Sequence, residues 1–414
     1  MAALTQLFYE DWANLPDPIL TQVFSYLSEV ERCRVGATCK HWLQFLETPQ
    51  LWRTFNCVFE LPEDRKQVKC LEKYGHFISS LTISINYEQE KNKNNALAVL
   101  KHLSCLENVR LSHLSIVFNG SSAWSGDCYF GKPLQKLFGI ALQKLFTKIG
   151  EKNEKSTLKH LNLPSFAGYF NDKLLDKISA TCPNLEYLNF VSRVAFFKLY
   201  VNNMVMLVLK CRKIQELHVY FTHLSDDVLK ALSETDRKPL QRLGVICTID
   251  DEFEHELSSA AWSTLLTANP DLKVSLKFEY GSLLKWPSKI MKPEIPVQEL
   301  YLTTTMFDPA IHLQINKAVA YYEQMLEKLV VKSSPSRELQ ESLLDVARRC
   351  KNLKALYVYC VLDKDVIDRI LELCPLMRDT RDYFLECSTD AMLRVTECLW
   401  ACPMCKNWVL PRQY

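Results

Sequence analysis

Glycine is scarce: 10 residues in a chain of 414, against a usual share of roughly 7%. Phosphate-cradling loops need closely spaced glycines so that backbone N–H groups can approach the anion, and the scarcity argues against a nucleotide-binding enzyme. Charge of one sign is lacking too. The 50 Lys and Arg stand against 48 Asp and Glu, a net +2, so no field of one sign exists to draw in nucleic acid or an anionic membrane. Long apolar runs are missing: none approaches the ~18 residues of a membrane span, and even Met204–Leu209 is stopped by Lys210. Glu10 and Asp11 stand where a secretory signal needs a basic start and an apolar stretch. These absences predict a cytoplasmic and/or nuclear protein with neither nucleic acid nor membrane among its partners.

What is present is an ordinary globular balance, 48% apolar and 24% charged. The length exceeds one compact core and suits two or three domains or an elongated repeat array. The 16 cysteines are scattered over the chain without the spacing of a small disulfide framework. Buried thiols acting as small apolar side chains are expected.

The first 56 residues are organised differently from the rest. Leu15, Ile19, Leu20, Val23, Phe24 and Leu27 form a broad apolar stripe on a helix opening near Pro16–Asp17. Ser28 and Glu31 read as a capping box opening a second helix, which carries Val30, Val35, Cys39, Trp42 and Leu43. Thr48 and Pro49 read as the start of a short third helix bearing Leu51, Trp52 and Phe55. Stripes this wide exceed what three short helices bury against one another, so a partner or the rest of the chain must cover the remainder.

Asn14-Leu15-Pro16-Asp17-Pro18-Ile19-Leu20, then Val23-Phe24-Ser25-Tyr26-Leu27, Thr38-Cys39-Lys40-His41-Trp42 and Leu51-Trp52-Arg53 together resemble the F-box. The resemblance implies docking on the Skp adaptor, and through it on a cullin ligase core. Leu15, Pro16, Ile19, Leu20, Val23, Phe24 and Leu27 would supply much of that contact. Cys39, Trp42, Leu51 and Trp52 would supply both contact and internal packing. Gly36 inside the second helix and Thr38 depart from the family pattern.

After a linker over 57–75, a unit recurs through 76–385: a short strand written Leu-x-x-Leu-x-Leu, then a helix often ending at a cysteine. Strands are expected from Ile78, Leu106, Leu158, Leu185, Ile214, Leu240, Val297, Leu326 and Leu353, a spacing of about 26 to 29 residues with two gaps of about twice that, within the leucine-rich-repeat range. A degenerate strand near Val274–Phe278 falls in the second long gap, and an extra loop and helix in the first. The phrases around Cys182, Cys211 and Cys350 recur at the helix-to-strand turn and resemble the cysteine-containing repeats of the F-box/leucine-rich-repeat family.

One strand–helix unit cannot bury its leucines alone, so stacked units share a continuous core. The expected fold is α/β: an N-terminal three-helix F-box followed by a curved leucine-rich-repeat solenoid with parallel strands concave and helices convex, then a C-terminal cap over 386–414. Alternation along the strands turns Thr82, Ser84, Asn162, Asn189, His218, Tyr220, Tyr301, Thr303, Tyr357 and Tyr359 away from the leucines. His218, Tyr220, Tyr301, Tyr357 and Tyr359 are the expected surface for a protein substrate, because tyrosine is enriched at binding hot spots. Replacement of the four tyrosines by Ser is expected to leave stability nearly unchanged.

Three motifs look like chemistry without supplying it. Gly126-Asp-Cys-Tyr-Phe-Gly131-Lys132-Pro133 has the spacing of a phosphate loop, but Pro133 stands where a Ser or Thr must bind magnesium. Cys398, Cys402 and Cys405, with Cys387 upstream, could hold a metal by spacing, but buried capping thiols are expected at the end of an array. No His-Glu-x-x-His and no nucleophile elbow occurs. No enzyme, cofactor or metal is expected. The family resemblance implies the substrate-recognition adaptor of an SCF-type ubiquitin ligase. The alternatives are a repeat scaffold with no ubiquitin role, or a metal-binding enzyme using the terminal cysteines.

Overall fold

The computed structural model describes residues 15–86, 88–107, 109–119, 132–151, 156–164, 172–191, 201–247, 256–279, 289–303 and 310–387. The chain divides into two compact units, residues 1–185 and 186–414.

Helix α1 spans Asp17–Ser25 behind Pro16, and buries Leu20 and Phe24. Helix α2 spans Glu29–Val35 and starts at the expected capping box. The Ser28 N–H donates to Glu31 Oε2 over 2.9 Å, and the Glu31 N–H returns to Ser28 Oγ over 3.4 Å. The single second helix expected over Val30–Leu43 is instead two, α2 and α3 (Lys40–Phe45). The break is at Gly36, where a Cβ would stand 2.7 Å from Leu46 Cδ1 and 3.1 Å from Leu43 Cδ1. Glycine lets the end of α3 close onto α2, and Cys39 restarts the helix by accepting the Trp42 N–H. The expected third helix is one 3-10 turn, Pro49–Leu51. Phe55 already lies in strand β1, Thr54–Phe59, and helix α4, Lys66–Tyr74, fills the expected linker.

In the first unit β1 pairs with β2 (Ser80–Asn86), β2 with β3 (His113–Asn119) and β3 with β4 (His160–Asn162), all parallel. Helices α5 (Glu90–Cys105), α6 (Lys132–Glu151) and α7 (Asp172–Thr181) alternate with them. The second unit continues the alternation: β5 (Tyr187–Asn189), α8 (Val201–Lys210), β6 (Glu216–Tyr220), α9 (Asp226–Leu232), β7 (Arg242–Cys247), α10 (Ser259–Ala268), β8 (Lys273–Glu279) and β9 (Val297–Thr303). Then follow α11 (Ile311–Tyr322), β10 (Lys328–Lys332), α12 (Arg337–Arg349), β11 (Ala355–Leu362), α13 (Lys364–Leu373), α14 (Pro375–Thr380) and β12 (Tyr383–Cys387). Within each unit consecutive strands are neighbours and parallel. Right-handed crossovers therefore put the described helices on one face and, among the described residues, leave the other face free of helices.

The leucines align across the ladder. Phe55, Leu81, Leu114 and Leu161 are paired in register in the first unit, and Leu276, Leu300, Leu329 and Leu356 in the second, all fully buried. The expected strand starts lie two residues ahead of the observed ones, or coincide with the observed one at Val297, except at Leu106, which caps α5, the next strand opening only at His113. Leu100, Leu103 and Leu106 are spaced by three, a spacing that fits a helix turn as well as a repeat strand. The degenerate segment near Val274 is β8, and β12 enters the region expected as tail.

Candidate functional site

Two surfaces stand out, one in each unit. On α1, two apolar stripes are offset by one residue. Leu20 and Phe24 point inward, where Phe24 meets Trp42 edge-on at 5.4 Å and Phe45 at 5.7 Å. Ile19, Val23 and Tyr26, at i, i+4 and i+7, point outward with exposures of 46%, 40% and 80%. Leu43 on α3 is exposed to 45%, and Pro16 is exposed. Leu15, Leu27, Cys39 and Trp42 are half-buried. Leu20, Phe24, Leu51 and Trp52, expected at the adaptor contact, are buried and present no surface to a partner. They hold the outward stripe in place. Tyr26 and Leu43 were outside the expected contact set, although the i, i+4, i+7 spacing of Tyr26 with Ile19 and Val23 carries the signal.

The packing that fixes this segment runs into the first repeat. Arg32 donates Nε to the Phe24 carbonyl over 2.9 Å and Nη1 to the Leu51 carbonyl, and lies 5.9 Å over the Trp52 ring. The Asn56 N–H donates to Glu29 Oε1 over 2.9 Å. Gln67 accepts the Val58 N–H over 2.8 Å and donates to its carbonyl over 2.6 Å. Side chains from α2 and α4 thus satisfy outward-facing backbone groups of edge strand β1, which would otherwise template pairing with another chain.

In the second unit the helix-free face carries one continuous row in register: Tyr220, Ile246, Lys277, Tyr301, Val330, Tyr357 and Phe384. The expected alternation holds, yet Tyr301 and Tyr357 are only 5% and 7% exposed. They pack with Val330 and Ala355 into a small outer core flanked by Tyr359 and Phe384. This corrects the expectation that the tyrosines leave stability untouched. Long lysine side chains lie over the rings. Lys277 Nζ is 4.7 Å from the Tyr301 centroid, and Lys328 Nζ is 5.0 Å from that of Tyr357, within cation–π range. The Tyr301 hydroxyl donates to Glu299 over 3.1 Å, and that of Tyr357 to Asp382. Tyr220, Tyr359 and His218 are half-buried. His218 bonds Glu216 over 2.9 Å and lies across Gly244, where a Cβ would come within 2.1 Å of Nδ1.

In the first unit the same face sets Ser, Asn and His side chains beside Val58 and Val117. Asn119 donates to Ser84 Oγ over 2.7 Å and Asn162 to Ser115 Oγ over 3.0 Å, while the His113 and His160 rings stack at 3.8 Å. Burial holds the His113 imidazole below its ordinary pKa.

Among the described residues no group of three or more His, Cys, Asp and Glu could hold a metal ion, and no helix is long and apolar enough to cross a membrane. The segment Gly126–Gly131 and the cysteines at 398, 402 and 405 lie outside the described residues.

Comparison with known proteins follows the same division. The F-box-like family matches residues 12–58. Beyond it, the chain is similar to F-box/LRR-repeat protein 8 of Homo sapiens, 23% identical over 374 residues covering 89% of this chain and 94% of that one. It is also similar to F-box/LRR-repeat protein 21 of Bos taurus, 23% identical over 363 residues covering 84% and 76% respectively. A solved TLR13–ssRNA13 complex aligns with a TM-score of 0.29 and 12% identity, over 72% of this chain and 40% of that one, too loose a likeness to bear on the fold. With its F-box-like segment, its repeated parallel strands and its likeness to two such relatives over most of its length, the chain is similar to the F-box/leucine-rich-repeat proteins.

Proposed function

We propose that the chain is the non-catalytic substrate-recognition subunit of an SCF-type ubiquitin ligase. The F-box binds the Skp adaptor, and through it a cullin core, while the helix-free face of the second unit holds a protein substrate. The observation that carries the reading is the outward stripe of Ile19, Val23, Tyr26 and Leu43 on a segment whose own core is complete without them. Exposed apolar side chains grouped this closely mark an interface. Tethering does the rest: a substrate held on the same chain as the ligase core meets the ubiquitin carrier at a high effective concentration.

Purified Skp adaptor tests this directly. Ile19→Glu with Val23→Glu should reduce adaptor binding by more than a hundredfold, since each buried apolar anchor is worth about 1.5–3 kcal/mol. The unfolding temperature should stay near that of the parent. A folded double variant that still binds undiminished overturns the reading. A second reading, a scaffold whose helical segment only covers the array, is favoured by Glu29 and Gln67 on the β1 edge. It requires that the parent chain not bind the adaptor at all.

A further inference from the structure

Cys33 on α2 and Cys70 on α4 meet across the junction between the F-box and the first repeat, with Sγ atoms 2.6 Å apart. That is well inside the usual contact distance of two sulfurs and about half an ångström from the ~2.05 Å of a disulfide bond. We propose that these two thiols form a reversible disulfide when a peroxide oxidises them, stapling the F-box to the array.

Both sulfurs sit on anchored backbone. Arg32, next to Cys33, is tied to the carbonyls of Phe24 and Leu51. Cys70 lies between Val68 and Leu71 on the buried side of α4, one turn before Tyr74, which stacks on Trp52. The pair is therefore held in place before any reaction, and little chain entropy opposes bond formation. The chemistry is asymmetric. The Cys33 S–H donates to Cys70, which favours the Cys70 thiolate and keeps Cys33 protonated. Lys73 and Arg32 add positive charge beside the pair. By contrast, burial first and nearby acidic groups after it push the Cys350 thiol up to about 12. Cys33 is half-exposed, which gives a small oxidant a way in.

The Cys70 thiolate attacks one peroxide oxygen and the O–O bond breaks, leaving a sulfenic acid on Cys70 and hydroxide. Cys33 sulfur then attacks Cys70 sulfur; the S–O bond breaks, and the leaving hydroxide takes the Cys33 proton as water. The proton that Cys70 had already released neutralises the first hydroxide. Two thiols lose two electrons and two protons, and one peroxide becomes two waters.

The test uses the full-length chain, a few equivalents of hydrogen peroxide, alkylation of the remaining thiols, and peptide mass spectrometry. The expected product is a Cys33–Cys70 linked peptide two hydrogens lighter than its parts, removed by dithiothreitol. The oxidised chain should unfold roughly 5–10 °C higher than the reduced chain. Cys33→Ser should lose the crosslink and the shift, and Cys70 should proceed to sulfinic acid instead. Cys33 and Cys70 both alkylated while exposed Cys105 is oxidised would overturn the proposal. An equal thermal shift in the parent and in Cys33→Ser would overturn it too.

Discussion

Trp52 lies flat on Tyr74, ring centroids 4.0 Å apart and planes 6° from parallel. The indole N–H donates to the Leu46 carbonyl over 2.7 Å, and Phe55 stacks at 6.1 Å. One side chain thus joins the last turn of the F-box, the end of α3 and the first repeat helix. Trp52→Ala should cost about 3–5 kcal/mol in chemical denaturation of the full chain, through the lost packing and the cavity left behind. Trp52→Phe keeps a ring on Tyr74 but strands the Leu46 carbonyl, a loss of about 1–3 kcal/mol. Adaptor binding should fail in Trp52→Ala only as far as the segment unfolds. Loss of binding at full stability would place Trp52 at the contact itself.

The outer core on the helix-free face separates two kinds of tyrosine. Tyr357→Ser removes a buried ring from between Val330 and Phe384 and leaves Asp382 without its hydroxyl donor. A loss of about 2–4 kcal/mol is expected. Tyr359 is half-buried, and Tyr359→Ser should cost less than about 1 kcal/mol. Thermal unfolding of the two variants side by side checks the order. Equal losses would show that the face carries no core of its own.

The strand pattern was legible because two chemistries coincide in several repeats. Leucines fixed the period, and the Cys-x-Asn-Leu phrases fixed the turn. Asn184 donates to the Ser156 carbonyl over 2.8 Å and Asn352 to the Gln324 carbonyl over 2.6 Å, each reaching back one repeat, while Cys182 and Cys350 fill the helix end beside them. The edge strands β1 and β12 were not legible. Thr54–Phe59 has the alternation of a strand, but no leucine phrase introduces it, and its edge is closed by Glu29 and Gln67 from elsewhere in the chain. The F-box contact was half legible. Residue identity placed the stripe, yet the family motif does not separate Leu20 from Ile19, which only the three-dimensional turn of α1 sends to opposite sides. Tyr301 and Tyr357 were placed on the right face and given the wrong burial, because they pack with Val330, Ala355, Tyr359 and Phe384, mostly from neighbouring strands, under the ammonium groups of Lys277 and Lys328.

Asn269 does without a cysteine what the other turns do with one. Its side chain accepts the Leu240 N–H over 2.6 Å and donates to the Leu265 carbonyl over 2.9 Å and the Leu232 carbonyl over 3.4 Å. It is nearly fully buried, so Asn269→Ala leaves the Leu240 N–H without its acceptor away from water, while the Leu265 carbonyl keeps the backbone N–H of residue 269. The expected loss is about 2–4 kcal/mol. Hydrogen exchange should report the opening locally, with amides at the start of β7 and the end of α9 losing protection first. Uniform loss across the second unit would mean that Asn269 matters only to global stability.

His223 sets the acid limit of the second unit. It is buried, stacked on Phe190 at 5.6 Å and met edge-on by Tyr220 at 5.8 Å. Among the described residues its Nδ1 has no hydrogen-bond partner. Burial disfavours the imidazolium and brings the folded pKa down from 6.5 to about 4. Between those two values the unfolded chain holds a proton that the folded chain does not. Stability supplied by the neutral ring is therefore complete above pH 6.5, falls as the pH drops toward 4, and levels off below it. The loss over that window is about 3 kcal/mol. His113, also held low by burial, bends the curve the same way, so the contribution of His223 must be read as a difference. His223→Phe keeps the ring and removes the proton site. Chemical denaturation at pH 7 and pH 4.5 should show a markedly smaller acid loss in His223→Phe than in the parent. Parallel pH curves for the two proteins would mean that the imidazole is already solvated in the folded state.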